Sequence, residues 1–114
     1  PLAGRWAVQW NLALTAGDAE GRYLTLPGRP SLGSSGRAGA LSAVSLVDEW
    51  IGLAARLRWT PAAELAWGPV QTVSVSEGGY ERIHQGTALL LTWPVGLGAG
   101  EACELSVELA VALL

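Results

Sequence analysis

The sequence contains no phenylalanine, no methionine and no lysine, and it has one cysteine and one histidine among 114 residues. A disulfide needs two thiols, so Cys103 cannot form one within the chain, and its apolar-alternating surroundings predict a small buried hydrophobe. A single histidine without a cysteine partner supplies too few ligands for a typical zinc site. Phosphate-loop and dinucleotide fingerprints are also missing. We therefore expect no metal and no cofactor.

Charge and long apolar runs are scarce as well. Charged residues make up 15% of the chain and the net charge is −3. The seven basic residues are scattered, which argues against a nucleic-acid partner. Half of the residues are hydrophobic, but no run approaches the roughly 20 residues of a membrane-spanning helix. The chain begins Pro1-Leu2-Ala3-Gly4, without a methionine or a secretory signal, so we expect a piece of a longer protein and slightly favour the cytoplasm.

Much of the sequence alternates between apolar and polar or small residues, which is typical of strands with one buried face. The clearest examples lie at 6–14, 51–60 and 102–113, between turns rich in glycine and proline. We expect Trp6, Trp10 and Trp59 to be buried, because they share a face with valine and leucine. This pattern predicts one antiparallel all-β domain over residues 1–114, a β-sandwich of jelly-roll or supersandwich type.

Two segments are harder to assign. Residues 27–40 are dominated by glycine, serine and proline, and we interpret them as a flexible loop. Residues 61–65 are compatible with one helical turn, since Pro61 stands near its start. A helix over residues 40–58 is an alternative because alanine and leucine are good helix formers, but the strict alternation favours a strand.

A hairpin with an unusually polar end is predicted between residues 67 and 86. The run Thr72–Ser76 alternates hydroxyl and apolar side chains, and Glu77-Gly78-Gly79-Tyr80 then supplies a turn signal. Further polar residues follow at 81–85 in an extended pattern. Because polar residues crowd here in a chain that is half apolar, this end is the first candidate for a functional surface.

These residues resemble the C-terminal β-sandwich domain of the family 57-type α-amylases and 4-α-glucanotransferases. The matching residues are Pro69-Val70, Thr72-Val73-Ser74, Ser76-Glu77, Gly79-Tyr80-Glu81, Gln85-Gly86 and Trp93-Pro94, with a weaker match over Val8–Leu14. The sequence departs from the family pattern at Gln71, where we expect an acid, and at His84, where we expect an aromatic residue. The family domain is longer than this chain, so the resemblance implies the final portion of a larger enzyme or a reduced stand-alone version.

The resemblance also implies a function. The catalytic carboxylates of the family belong to a barrel domain that this chain lacks, so we expect no catalytic activity from the chain alone. The implied partners are an α-glucan or another polysaccharide, and the catalytic domain of the parent enzyme.

Sugars are bound by stacking on aromatic rings with the help of a few placed polar groups. Four rings fall outside the core pattern, although each can equally cap an end of the core. For the two glutamates nearest the turn, we favour the interpretation that they accept hydrogen bonds from turn amides or pair with Arg82. The candidate carbohydrate-binding residues are Trp50, Trp67, Tyr80 and Trp93 for stacking, and Glu77, Glu81, His84 and Gln85 for hydrogen bonding.

Three functions remain open at this stage. The first is a non-catalytic carbohydrate-binding sandwich from an α-glucan-active enzyme, which we favour. The second is a purely structural domain docked on the catalytic barrel. The third is a small sugar-active enzyme such as an epimerase. Such an enzyme needs a general acid and a general base, and one histidine and one close glutamate pair offer few groups for these roles.

Overall fold

A computed structural model describes residues 2–14, 20–76 and 78–114 of the chain. Strands dominate these residues, and no helix occurs among them. All strand pairs are antiparallel, in the order β1-β5-β4-β3-β2, with β6 also pairing with β4. The antiparallel all-β fold is thus confirmed. The strands are β1 (Leu2–Leu12), β2 (Arg22–Leu24), β3 (Gly36–Asp48), β4 (Leu53–Ser76), β5 (Gly79–Leu97) and β6 (Ser106–Leu113).

The long strand β4 belongs to both halves of the sheet. Its first part, residues 53–60, lies between β3 and β6, and its later part, residues 64–76, pairs with β5. The pairing of β3 with β4 shifts register between Ala38 and Leu41 and again between Leu41 and Ala43. Such bulges bend a strand, and here they lie where β4 passes from one half to the other. The sheet therefore folds over on itself as a small sandwich.

Side chains from both halves meet in one core. Leu57 and Trp59 point inward from the first part of β4, and Leu65 does so from the later part. Each residue removed from water in this way contributes about 1.5–3 kcal/mol to folding. The shared cluster shows that the two halves pack face to face. Its buried members are Leu24, Leu26, Leu32, Val44, Leu46, Leu57, Trp59, Ala63, Leu65, Leu89, Leu91 and Trp93.

The three tryptophans predicted to be buried have different environments. Trp59 is buried at 2% exposure, and its Nε1 donates to the carbonyl of Leu41 at 2.6 Å, as its alternation predicted. Trp10 is only half-buried and packs against the edge of the core. The prediction for Trp6 is wrong, because its ring is 61% exposed. Trp6 lies on the same face of β1 as the half-buried Val8 and Trp10, but β1 is the outer strand of the sheet and its residues 3–7 are all exposed.

The interpretation of residues 27–40 as a loop needs correction. Strand β3 begins at Gly36, so the last five of these residues are in the sheet. Within the remainder, Leu32 is fully buried, and its carbonyl accepts a hydrogen bond from the Thr87 hydroxyl at 2.7 Å. One leucine and one carbonyl thus fix the segment to the core despite its glycine and serine content. Residues 61–65, where one helical turn was expected, also lie in a strand, β4.

Cys103 is exposed, which contradicts the prediction of a buried hydrophobe. Cys103 lies before the last strand, because β6 begins only at Ser106 although the alternating pattern starts at residue 102. Residues 101–105 precede it without strand pairing, so they cover less of the core than a strand would.

Candidate functional site

The polar hairpin predicted between residues 67 and 86 is present, and Ser76 pairs with Gly79 at its tip. His84 is half-buried on β5, and its Nε2 lies 3.1 Å from the carbonyl oxygen of Leu14. The side chain of Gln85 is exposed. Three candidate side chains of this hairpin lie outside the described part of the structure, namely those of Glu77, Tyr80 and Glu81.

The ring of Trp67 is less exposed than expected for a residue flanked by glycine and proline. Its ring is half-buried against the core, and its Nε1 donates to the Ser34 hydroxyl at 3.1 Å. Gly36 lies directly beneath it, because a Cβ there would come within 2.4 Å of the ring. The close contact with Gly36 leaves only part of this ring accessible to a ligand.

Trp93 was interpreted as a possible exposed ring, and that interpretation is wrong. The side chain is 1% exposed, and Nε1 donates to the carbonyl of Pro61 at 2.8 Å. Trp93 lies at an inward position of β5, in phase with Leu89 and Leu91, so the strand alternation continues up to Pro94. Its ring is part of the core.

Among the candidate rings whose side chains the structure describes, Trp50 is the exposed one, at 71%. It lies in the turn between β3 and β4, where Gly52 adopts a positive φ of 70°. The indole Nε1 donates to the carbonyl of Glu20 at 2.6 Å. A ring held by its edge in this way keeps its orientation while its surface stays open to solvent.

The turn that carries Trp50 is fixed by one buried carboxylate. Asp48 Oδ1 accepts the backbone N–H groups of Trp50 (3.0 Å) and Ile51 (3.2 Å). Asp48 Oδ2 accepts from Arg22 Nε at 2.9 Å. Burial, the largest single influence, raises the pKa of Asp48, but the hydrogen bonds from Arg22, Ile51 and Trp50 and the charge of Arg22 together lower it below the usual value of 3.8. The carboxylate is therefore held in its charged form.

A second ring lies beside this turn. The Tyr23 hydroxyl donates to Glu49 Oε1 at 3.3 Å, and the guanidinium of Arg29 lies 4.7 Å from the centre of the Tyr23 ring. The guanidinium of Arg22 lies 5.8 Å from the Trp50 ring centre. We call this group the Trp50 cluster. It consists of Glu20, Gly21, Arg22, Tyr23, Arg29, Glu49 and Trp50.

Two shallow cavities open on the Trp50 cluster. One, of about 350 Å³, is lined by Glu20, Gly21, Glu49 and Trp50. The other, of about 360 Å³, lies beside it along Tyr23 and Arg29. Gly21 is required between them, because its φ is 83° and a Cβ there would meet Glu49 Oε2 at 3.1 Å. The cluster thus offers rings, carboxylates and guanidinium groups around a small depression.

The structure does not bring the candidate residues together in one place. Trp50 lies just before the first residue of β4, whereas the turn of the polar hairpin follows the last residue of this 24-residue strand. Sequence reasoning identified Trp50 but missed Arg22, Tyr23 and Arg29. The local sequence that could have indicated this site is the turn Asp48-Glu49-Trp50-Ile51-Gly52. It combines two acids, a glycine and a tryptophan that is out of phase with the buried positions of the following strand.

Metal sites and membrane-spanning helices are absent from the part of the chain that the structure describes. Within residues 2–14, 20–76 and 78–114, no group of three or more histidine, cysteine, aspartate or glutamate side chains is placed to hold a metal ion. None of these residues forms a helix long and apolar enough to cross a membrane.

Comparison with known proteins places this fold in a family. Residues 2–108 match the family model described as alpha-amylase/4-alpha-glucanotransferase, C-terminal. The chain belongs to this family. Comparison with curated proteins gave no match.

The solved structures include a similar fold. The crystal structure of a 4-alpha-glucanotransferase from Thermococcus litoralis superposes with a TM-score of 0.62 at 22% sequence identity. The alignment covers all of this chain and 15% of the other chain. The likeness therefore concerns the fold of one part of a much longer enzyme.

Proposed function

We propose that this family member is a non-catalytic carbohydrate-binding module of an α-glucan-active enzyme of the glycoside hydrolase family 57 type. The single observation that carries the proposal is Trp50, whose ring is 71% exposed yet fixed by a 2.6 Å hydrogen bond to Glu20. Exposing a tryptophan to water is unfavourable, and an immobilised ring loses little entropy when a ligand stacks on it.

The chemistry around the ring suits a neutral sugar. The apolar face of a pyranose can stack on Trp50, and its hydroxyl groups can bond to carboxylates and guanidinium groups at the rim. Glu49 accepts a 3.3 Å hydrogen bond from the Tyr23 hydroxyl and lines the cavity beside Trp50. The similar solved structure is a 4-alpha-glucanotransferase, which makes an α-glucan the favoured ligand.

We place the chemical step in another part of the parent enzyme. The chain corresponds to 15% of the similar glucanotransferase, and the family model describes a C-terminal segment. The expected partners are therefore a polysaccharide and the catalytic part of the same enzyme.

A supporting role is a second candidate, and Trp6 favours it. This ring is 61% exposed on β1, next to a shallow cavity of about 240 Å³ that is lined by Gly4, Arg5, Trp6 and Val95. A ring exposed on an outer strand suits docking against another protein surface as well as it suits a sugar.

The two candidates are separated by a titration of the chain with amylose, pullulan and a β-glucan, followed calorimetrically. We expect binding to the α-glucans, and Trp50→Ala should weaken it about 5- to 150-fold, since stacking of one ring contributes about 1–3 kcal/mol in other ligand classes. Trp6→Ala is the matched control and should bind like the parent. If the parent binds none of the glucans, the supporting role replaces the proposal. Equal losses in both variants would contradict the assignment to the Trp50 cluster.

A further inference from the structure

The backbone of Arg29 adopts a conformation that arginine seldom takes. Its φ is 44°, and in the part of the chain that the structure describes Arg29 is the non-glycine residue with a positive φ. A type II turn precedes it, since Gly28 has a φ of 80° after Pro27 and the Arg29 N–H donates to the Leu26 carbonyl at 2.9 Å. Glycine takes the conformation of Arg29 at less cost. A strained residue of this kind points to a role for its side chain.

The side chain of Arg29 is exposed and lies on the half-buried ring of Tyr23, with the guanidinium 4.7 Å from the ring centre. Within the described residues, no carboxylate forms an ion pair with it. The backbone on its C-terminal side is tied to β2, because the Leu24 N–H donates to the Pro30 carbonyl at 2.9 Å and Tyr23 forms a bridge with Ser31. The guanidinium is therefore held beside the second cavity of the Trp50 cluster, with donor groups available to a ligand.

The two cavities of the Trp50 cluster are adjacent. The first, of about 350 Å³, lies beside Trp50, and the second, of about 360 Å³, extends along Tyr23 and Arg29. Each is near the lower end of the range of about 300–1,000 Å³ that ligand pockets occupy. The Glu49 N–H donates to the Gly21 carbonyl at 2.9 Å, which fixes the wall between them. Both cavities are lined by Glu20, Gly21 and Glu49.

From these observations we propose that the second cavity is a second sugar subsite, in which Arg29 and Tyr23 bind the unit next to the one stacked on Trp50. This inference rests on the proposed function and narrows its ligand to a chain of at least two linked sugar units. Consecutive units of an α-glucan carry the same hydroxyl groups, so a linear chain presents one unit to each cavity.

The charges favour a neutral chain over an anionic ligand. Glu20 and Glu49 line both cavities and would repel a phosphate or an acidic sugar. The charge of Arg22 is already paired with Asp48 at 2.9 Å. Sugar hydroxyl groups can both donate to carboxylates and accept from a guanidinium, so they suit this mixture of groups.

An NMR titration of the complete 114-residue chain with methyl α-glucoside, maltose and maltotriose tests the second subsite. The indole N–H signal of Trp50 should shift with all three sugars. The backbone amide signals of Gly28, Arg29 and Ser31 should shift with maltose and maltotriose but not with methyl α-glucoside. We expect maltotriose to bind about tenfold more tightly than methyl α-glucoside, since hydrogen bonds to a charged group are among the stronger ones.

Two variants of matched charge identify the residue responsible. Arg29→Gln should lower the affinity for maltotriose about tenfold and leave that for methyl α-glucoside unchanged. Arg37→Gln is the control, because Arg37 is exposed at the opposite end of β3 and lines neither cavity, and it should bind like the parent. Arg29→Gly, which relieves the backbone, should show the same loss as Arg29→Gln with a native circular dichroism spectrum.

Two results would overturn the second subsite while the proposed function stands. One is a Trp50 signal that responds to maltotriose while the amides of Gly28, Arg29 and Ser31 do not. The other is a loss of affinity in Arg29→Gln no larger than in Arg37→Gln. If the Trp50 signal responds to none of the sugars, the second subsite and the proposed function both fail.

Discussion

Arg22 and Asp48 face each other across β2 and β3, and Arg22 Nε donates to Asp48 Oδ2 at 2.9 Å. The side chains are 14% and 5% exposed, so the ion pair is nearly enclosed. The other oxygen of Asp48 holds the backbone of the turn that carries Trp50. One carboxylate therefore joins a short outer strand to the candidate binding ring.

Removing the charge of Asp48 should destabilise the fold. Asp48→Asn keeps the size of the side chain but leaves Arg22 without its counter-ion, and a broken buried pair costs about 3–5 kcal/mol. The free energy of unfolding in urea measures this loss. Glu108→Gln is the matched control, because Glu108 pairs with Arg58 at 3.4 Å in solvent and should cost at most about 1 kcal/mol. Equal losses in the two variants would contradict the structural role of the pair.

Acid should remove the contribution of Asp48. Because folding lowers the pKa of this carboxyl below 3.8, the unfolded chain binds more protons in that range, and stability rises with pH. The stabilisation is present above the unfolded pKa and disappears as pH falls through the folded one. The stability difference between the parent and Asp48→Asn should therefore shrink as the pH falls from about 5 to values below 3.8. Urea unfolding at several pH values checks this, and a constant difference would show that Asp48 does not titrate as inferred.

Truncating Trp93 should damage the core, whereas truncating Trp6 should not. The two residues face each other across β1 and β5, yet they are 1% and 61% exposed. Trp93→Ala leaves a large cavity and removes the hydrogen bond to the Pro61 carbonyl, and it should cost about 3–5 kcal/mol. Trp6→Ala should change the free energy of unfolding by less than about 1 kcal/mol. Urea denaturation compares the two, and similar losses would place Trp6 in the core.

The same pair shows what sequence could and could not predict. The alternation of apolar and polar residues predicts the strands and which of their faces is buried. The burial of Leu57 and Trp59 and the antiparallel sandwich were therefore predictable. How exposed a residue on that face is depends on whether its strand lies at the outside of the sheet. The sequence around Trp6 does not indicate that β1 is an outer strand. The Trp50 cluster depends on the pairing of Arg22 with Asp48, which are 26 residues apart. Only Trp50 had a local signal, because it was out of phase with its neighbours.

A methyl group at Gly86 should disturb the attachment of β1 to β5. A Cβ there would lie 2.4 Å from the carbonyl oxygen of Leu12 and 3.1 Å from the Cα of Ala13. Backbone atoms cannot rotate away as a side chain can, so the end of β1 must move, at about 1–3 kcal/mol for an overpacked site.

Gly96→Ala is the matched control for Gly86→Ala, since Gly96 is on the same strand and a Cβ there meets nothing within 4 Å. It should leave stability within about 0.5 kcal/mol of the parent. Thermal unfolding gives the global effect, and amide hydrogen exchange should show faster opening of β1 in Gly86→Ala alone. If the amides of β1 are as well protected from exchange in Gly86→Ala as in the parent, the close approach of the two backbones at Leu12 is not a constraint on this fold.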